Sequence, residues 1–306
     1  MYTKLLIPLD GSKTAEQVLP YARFFTNRLH KPIEIVAAID IAEMLAYVSA
    51  EKARDAYNMI EAGMRSSEAY LKAVGTTLDG THVLCTVAKG RAEEVIIEQG
   101  EADPGILIVM ATHGRSGVNR WLLGSVAEKV LRGTANPLLL IRARENAKSE
   151  GEACLRSIIV ALDGSELAES VLPLAAGLAN KLDLAVILFR GCNAPYSVYG
   201  YGYGYYAIDV DKVTAEMRSD AHDYLEKKAA ELKNLGVAKI SCLTKEGMSA
   251  DEIIKAAHET PDGLIVMCSH GRSGVKRWVL GSVTETVVRH ADSPVLVLRA
   301  AIPGEG

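Results

Sequence analysis

Two glycine-bearing segments hold the residue types that bind phosphate. Residues 110–125 read Met-Ala-Thr-His-Gly-Arg-Ser-Gly-Val-Asn-Arg-Trp-Leu-Leu-Gly-Ser. Gly114, Gly117 and Gly124 allow backbone to approach phosphate oxygens closely. A helix opening at Ser125 would aim free N–H groups and its positive dipole end at the same anion. Arg115 and Arg120 add positive charge beside them. The other segment, Pro8-Leu9-Asp10-Gly11-Ser12, follows a short apolar run and supplies a carboxylate. Neither segment is a Walker A loop, because Gly-Lys-Ser/Thr is missing, and Gly-x-Gly-x-x-Gly is missing too. Structural roles compete. Asp10 and Asp163 suit an Asx turn, and Ser125-x-x-Glu128 and Ser282-x-x-Glu285 both read as capping boxes. His113 and His270 lack a second ligand at metal spacing and read as polar loop residues, while Trp121 and Trp278 read as packing anchors.

The chain is written twice. Lys4-Leu-Leu-Ile-Pro-Leu-Asp-Gly-Ser12 returns as Ser157-Ile-Ile-Val-Ala-Leu-Asp-Gly-Ser165, and His113-Gly-Arg-Ser-Gly-Val118 returns as His270-Gly-Arg-Ser-Gly-Val275. A repeat of this length is a duplicated domain, since solenoids repeat every 20 to 50 residues or so. We expect a first domain over 1–143, a polar exposed linker over 144–155 and a second domain over 156–306.

Within each copy, strand-length apolar runs alternate with helix-period segments. Leu5–Leu9, Ile35–Ile39, Val83–Val87, Ile106–Met110 and Leu138–Ile141 read as strands. Thr14–Leu29, with Thr14-x-x-Gln17 as a capping box, reads as a helix, as do much of Ala50–Thr77, Ala92–Glu98 and Ser125–Arg132. The second copy repeats this plan. The alternation predicts an α/β fold of two tandem doubly wound, Rossmann-like domains, each a five-stranded parallel sheet flanked by helices. In such sheets ligands bind at the carboxyl ends of the strands, where both glycine-bearing segments fall.

Composition narrows the function. The 306 residues carry Lys+Arg 34 against Asp+Glu 38, a net charge of -4, which gives no footprint for nucleic acid or an anionic membrane. No apolar run approaches the roughly 20 residues of a membrane span. Five cysteines without a C-x-x-C pair suggest reduced thiols in a cytoplasmic protein.

With these motifs in view, the chain resembles the universal stress protein family, as a tandem two-domain member. The resemblance runs from Lys4 to Arg142 and from Arg156 to Arg299. It rests on Pro-x-Asp-Gly-Ser, Thr-His-Gly-Arg-Ser-Gly, Leu-Leu-Gly-Ser and the terminal strand Asn-Pro-Leu-Leu-Leu-Ile. The family's ATP-binding pattern is Gly-x2-Gly-x9-Gly-Ser/Thr. Here Gly114 and Gly271 stand second, and Gly124-Ser125 and Gly281-Ser282 close it. The first glycine is Ala111 in one copy and Cys268 in the other, which a position needing positive φ would not tolerate cheaply.

The resemblance implies strand order 3-2-1-4-5 in each half. It implies Pro8, Asp10 and Ala38 around adenine and ribose, and Ala111, Gly114, Gly117, Gly124 and Ser125 around the phosphates. The second-half counterparts are Ala161, Asp163, Gly191, Cys268, Gly271, Gly274, Gly281 and Ser282. ATP would bring Mg2+ or Mn2+ with it, since no carboxylate cluster here holds a metal alone. The function implied is a stress-response regulator acting through nucleotide-dependent interactions. The alternative is a scaffold or interaction protein of the same family that binds no nucleotide. An ATP-consuming enzyme ranks lowest, with at most slow hydrolysis, because no positioned base or nucleophile is visible. Further expectations are a pseudo-dimer within one chain, a homodimer, an unnamed protein partner, and a first half that binds ATP better.

One segment has no counterpart in the first copy. Residues 195–206 read Pro-Tyr-Ser-Val-Tyr-Gly-Tyr-Gly-Tyr-Gly-Tyr-Tyr, and alternating glycine prevents a stable helix there. It reads as a surface loop, or as an adhesive lid whose rings stack on a partner or on adenine. Base stacking on aromatic rings is worth roughly 1–3 kcal/mol. A lid predicts that changing Tyr199, Tyr201, Tyr203 and Tyr205 to serine weakens nucleotide or partner binding with little change in melting temperature. Unchanged affinity, partner capture and oligomer state in that variant would leave a plain surface loop.

Overall fold

The computed structural model describes residues 2–42, 53–78, 82–113, 123–144, 147, 149–192, 210–271 and 280–299. The chain divides into two compact units, Met1–Cys154 and Leu155–Gly306. In the first, β1 (Lys4–Pro8) is followed by a 3-10 turn (Ala15–Val18), α1 (Leu19–Leu29) and β2 (Ile33–Ile39). Next come α2 (Ala53–Gly75), β3 (Val83–Lys89), α3 (Ala92–Glu101), β4 (Ile106–Ala111), α4 (Ser125–Gly133) and β5 (Leu138–Ile141). The strands pair in parallel in the order β3-β2-β1-β4-β5. Every residue of β4 and β5 is buried, as continuous aliphatic runs covered on two faces require. Edge strand β3 is half-buried, with Leu84 and Lys89 exposed.

The second unit repeats the plan. It has β6 (Ser157–Ala161), a single turn (Glu166–Glu169), α5 (Leu172–Leu182), β7 (Ala185–Cys192) and α6 (Val210–Asn234). Then follow β8 (Ile240–Glu246), α7 (Ser249–Glu259), β9 (Gly263–Cys268), α8 (Ser282–His290) and β10 (Val295–Leu298). Its parallel order is β8-β7-β6-β9-β10. Both orders reverse direction beside the first strand of the unit. That opens a crevice between β1 and β4, and between β6 and β9. Equivalent non-glycine residues end α1 and α5 in the left-handed region, His30 at φ 49 and Asp183 at φ 50, so even this local strain is duplicated.

Two local readings change. The capping box at Thr14 is not made: Thr14 is helical and gives no side-chain cap. Ser12 Oγ accepts from Ala15 N at 3.1 Å instead. Gln17 turns away to clamp Arg144, donating to its carbonyl and accepting from its N–H, each at 2.8 Å. That clamp is part of the second change. The polar seam is exposed but fastened to α1. Arg23 donates to the carbonyls of Ser149 (2.8 Å) and Gly151 (2.9 Å), and Ala153 N donates to Pro20 O at 3.0 Å.

Glu152 bonds Arg28 and Asn27. Burial works against its ionisation, but the Arg28 and Asn27 bonds outweigh it and hold the carboxyl below the usual range. A lowered folded pKa stabilises above the unfolded value, and the gain is lost as pH falls through the folded one. Partly exposed, the pair is worth under about 1 kcal/mol. Glu152→Gln should therefore speed limited proteolysis of 144–154 at neutral pH and flatten the acid-induced rise seen in the wild type. Equal cleavage in both proteins at neutral pH would show that Glu152 does not hold the seam.

Candidate functional site

A cavity of about 370 Å³ opens in the second unit at the carboxyl ends of β6, β7 and β9. Ala161 and Asp163 line it from β6 and the turn that follows. Gly191 lines it from β7, Cys268 from the end of β9, and Gly271 from the loop beyond. Gly281 and Ser282 close it at the start of α8. These seven sequence-assigned positions meet at one place. Gly274 lies outside the described residues, as do Gly114 and Gly117, Arg115, Arg120, both tryptophans and residues 195–206.

In the first unit, Pro8 ends β1, Asp10 follows it, Ala38 sits near the end of β2 and Ala111 ends β4. Gly124 and Ser125 begin α4. The strand order places all of these at the same carboxyl edge.

The aspartates have a structural duty. Asp10 Oδ1 accepts from Ser12 N (2.9 Å) and Ser12 Oγ (2.6 Å). Asp163 repeats this with Ser165, at 2.9 and 2.6 Å, and Ser165 Oγ caps Ala168 N at 3.2 Å. Gly11 at φ 82 and Gly164 at φ 88 make the turn possible. So the Asx turn is real, but it occupies Oδ1. Oδ2 of Asp163 lies where a Cβ on Gly271 would stand only 2.2 Å from it, so a side chain at 271 would collide with the carboxylate.

The serines are not caps. The N-caps of α4 and α8 are Gly124 and Gly281, and neither helix has a side-chain cap bond. Glu128 and Glu285 turn instead to Arg132 (3.1 Å) and Arg289 (2.9 Å) one turn on. No capping side chain thus covers the first-turn N–H groups of α8, which face the cavity mouth. Gly124 N donates to Thr112 O at 2.8 Å, and Gly281 N to Ser269 O at 2.9 Å. A Cβ would fall 2.8 Å from Thr112 O in one copy and 3.0 Å from Ser269 O in the other. Both glycines are fixed by close backbone approach.

The departures from the family pattern cost no backbone strain. Ala111 and Cys268 end buried strands, and neither has positive φ. Both side chains are buried, so the two copies differ here in side-chain size and not in backbone conformation class. In the second unit Thr284 Oγ1 donates to Cys268 O at 2.8 Å, where the first copy has Ala127. The change from Ala38 to Gly191 is also balanced. A Cβ on Gly191 would lie 2.9 Å from Ser249 Oγ, and Ser249 stands where the first copy has Ala92. His113 and His270 place Nδ1 within 3.0 and 2.9 Å of the hydroxyls of Thr112 and Ser269. Among the described residues, no three His, Cys, Asp or Glu side chains group as a metal site.

Arg190, Cys192 and Met217 are among the other residues that line the cavity. Burial pushes the Cys192 thiol pKa up, which keeps the thiol protonated. The Arg190 guanidinium carbon lies 4.6 Å from the ring centroid of Tyr224 on α6. The Tyr224 hydroxyl donates to Glu169 Oε1 at 2.9 Å, and Lys228 pairs with Glu169 at 2.8 Å. Burial and then Glu169 raise the Tyr224 pKa, so the phenol stays a donor. The signal for Arg190 was in the repeat itself, since its counterpart is Ala37.

An open parallel α/β domain with a glycine-lined crevice at its switch point belongs to the class of small-ligand-binding doubly wound folds. Comparison with known proteins narrows the class. The model of the universal stress protein family matches residues 1–142 and 155–299. The chain belongs to that family, with two copies of its domain in tandem. A universal stress protein of Methanocaldococcus jannaschii is 27% identical over 161 residues, 49% of this chain and 85% of that one. A putative universal stress protein of Staphylococcus aureus is 30% identical over 146 residues, 47% of this chain and 84% of its own length. The crystal structure of a universal stress protein from Archaeoglobus fulgidus aligns with a TM-score of 0.66 at 21% identity, covering 98% of this chain and 100% of that one. A putative universal stress protein from Pseudomonas aeruginosa aligns at 0.63 and 16% identity, covering 98% and 94%. These two likenesses concern the fold. Among the described residues no helix is long and apolar enough to cross a membrane.

Proposed function

We propose that the protein is an ATP-binding universal stress protein whose nucleotide state regulates its interactions with partners and with itself. One observation carries this reading: seven of the eight assigned second-half residues line a single cavity at the uncapped start of α8. The site suits the group, because Gly281 brings the start of α8 against the Ser269 carbonyl and no side chain caps its first-turn N–H groups. The α8 N-terminus would hold the phosphates, and Asp163 and the β7 edge at Gly191 the nucleoside. Mg2+ or Mn2+ would arrive on the phosphates. ATP itself would supply a polyphosphate whose presence or loss distinguishes two states of the protein. No residue is assigned a catalytic role.

The first half carries the same parts, and we place a second ATP site there at Pro8, Asp10, Ala38, Ala111, Gly114, Gly117, Gly124 and Ser125. The duplication supports a pseudo-dimer within one chain. Sedimentation with and without ATP would show whether chains pair further as a homodimer. The free cysteines are consistent with a cytoplasmic setting. Denaturing freshly purified protein and assaying the supernatant for nucleotide tests the central reading. One to two equivalents of ATP or ADP per chain are expected. Empty protein that also shows no heat on titration with ATP and Mg2+ would favour the scaffold role.

A further inference from the structure

Where the first copy has Ala37, the second crevice is lined by a cation, Arg190, and its placement suggests what it selects. Arg190 lines the cavity on β7, while Gly281 and Ser282 line it beyond β9. Strand β6 lies between β7 and β9, pairing with both. Two strand spacings are roughly 10 Å, so the Arg190 backbone lies across the sheet from the phosphate cradle. A nucleotide anchored by its 5′-phosphates at α8 therefore brings its nucleoside end to Arg190.

The arginine is prepared for recognition. Its guanidinium carbon sits over the Tyr224 ring at 4.6 Å, which leaves the edge of the planar fork available for bidentate contacts. Tyr224 is fixed in turn by Glu169 at 2.9 Å, and Glu169 by Lys228 at 2.8 Å. The first unit has the same tyrosine–glutamate contact, Tyr70 to Glu16 at 3.2 Å, but Ala37 in place of the arginine. The scaffold is common to both halves; the charged fork belongs to one. Such a fork matches best an anionic group that offers two oxygens at once, and on a nucleoside that group is a phosphate ester.

We propose that Arg190 is a specificity-determining residue, and that the second half takes adenine nucleotides bearing an additional phosphate on the ribose. This rests on the nucleotide reading above and goes beyond it, since it assigns the two halves different ligands. Asp10 and Asp163 are shared and do not distinguish them. Arg190 does.

The test is calorimetric titration with AMP and with adenosine 3′,5′-bisphosphate or its 2′,5′ isomer. It is run on the full chain and on a Gly124→Val background, where the second site is read alone. One of the bisphosphates should bind about tenfold or more tighter than AMP, the scale of a charge-assisted hydrogen-bonded pair. Arg190→Ala should bring that ratio to about one while AMP affinity stays within about threefold. Arg190→Lys, which keeps the charge and loses the fork, should fall between them. Ala37→Arg on a Gly281→Val background should confer the preference on the first half. In the otherwise unmodified chain, only one of two binding phases should respond to Arg190→Ala, so the result does not depend on either valine variant folding. An unchanged ratio in Arg190→Ala overturns the inference while leaving the ATP reading intact. A preference for GMP over AMP that Arg190→Ala removes overturns it as well, by assigning the fork to O6 and N7 of guanine. If neither AMP nor ATP binds the wild type, the nucleotide reading falls and this inference with it.

Discussion

Gly281→Val should weaken nucleotide binding in the second half about a hundredfold while the chain still folds. The backbone at Gly281 is extended, φ -62 and ψ 139, a conformation valine adopts readily, so the substitution carries no torsional penalty. The conflict is one of space. A Cβ at that position lies 3.0 Å from Ser269 O, the acceptor of the residue's own N–H bond at 2.9 Å. The start of α8 must shift by a few tenths of an ångström, and two methyl groups enter the cavity mouth. Overpacking of this kind costs about 1–3 kcal/mol of stability. The same shift moves backbone N–H groups away from the phosphate position, and we expect about a hundredfold loss of affinity, close to 2.7 kcal/mol. Gly124→Val is the counterpart, with the tighter 2.8 Å approach to Thr112 O. We expect from the sequence that the first half is the better ATP site, so Gly124→Val should cost more of the total ATP affinity. Equilibrium titration of both variants decides it. Affinities within about threefold of wild type in both would remove the α4 and α8 starts from the site.

The duplication and the alternation of strand and helix made the α/β plan legible, because buried parallel strands show as unbroken aliphatic runs. Element ends held to within a few residues, as at β4 and β5. What failed was local choice among equivalent bonds. Thr14-x-x-Gln17 and Ser125-x-x-Glu128 have the capping spacing, yet Gln17 bonds Arg144 across 127 residues and Glu128 bonds Arg132. Spacing records what a side chain can reach nearby; tertiary neighbours decide which partner it takes. The same limit applied to Ala111 and Cys268. The pattern asked for glycine, and only the backbone shows that the strand end there does not need positive φ. Arg190 was visible as a letter beside Ala37. Its meaning required the Tyr224 ring on α6, a long helix whose side chains the strand sequence does not specify.

Truncating one fully buried side chain in each unit should lower stability, and ATP should restore part of it. Phe25 in α1 is 0% exposed and meets Phe24 edge-on at 5.6 Å and 89°. Leu178 in α5 is also 0% exposed and does not line the cavity. Phe25→Ala is expected to cost about 3–5 kcal/mol and Leu178→Ala about 2–5, through lost burial plus the void left behind. Against a usual total of about 5–15 kcal/mol, either loss is large. A ligand that binds only the folded unit adds about 2.7 kcal/mol at a hundred times its Kd. Saturating ATP with Mg2+ should therefore return roughly half or more of the loss in Leu178→Ala, through the cavity of the same unit. In Phe25→Ala it should return a similar amount through the first-half site. Urea unfolding of both variants, with and without nucleotide, measures the two effects separately. Destabilised variants that gain nothing from ATP would show that neither crevice holds it when folded. Recovery confined to one variant would name the half that binds.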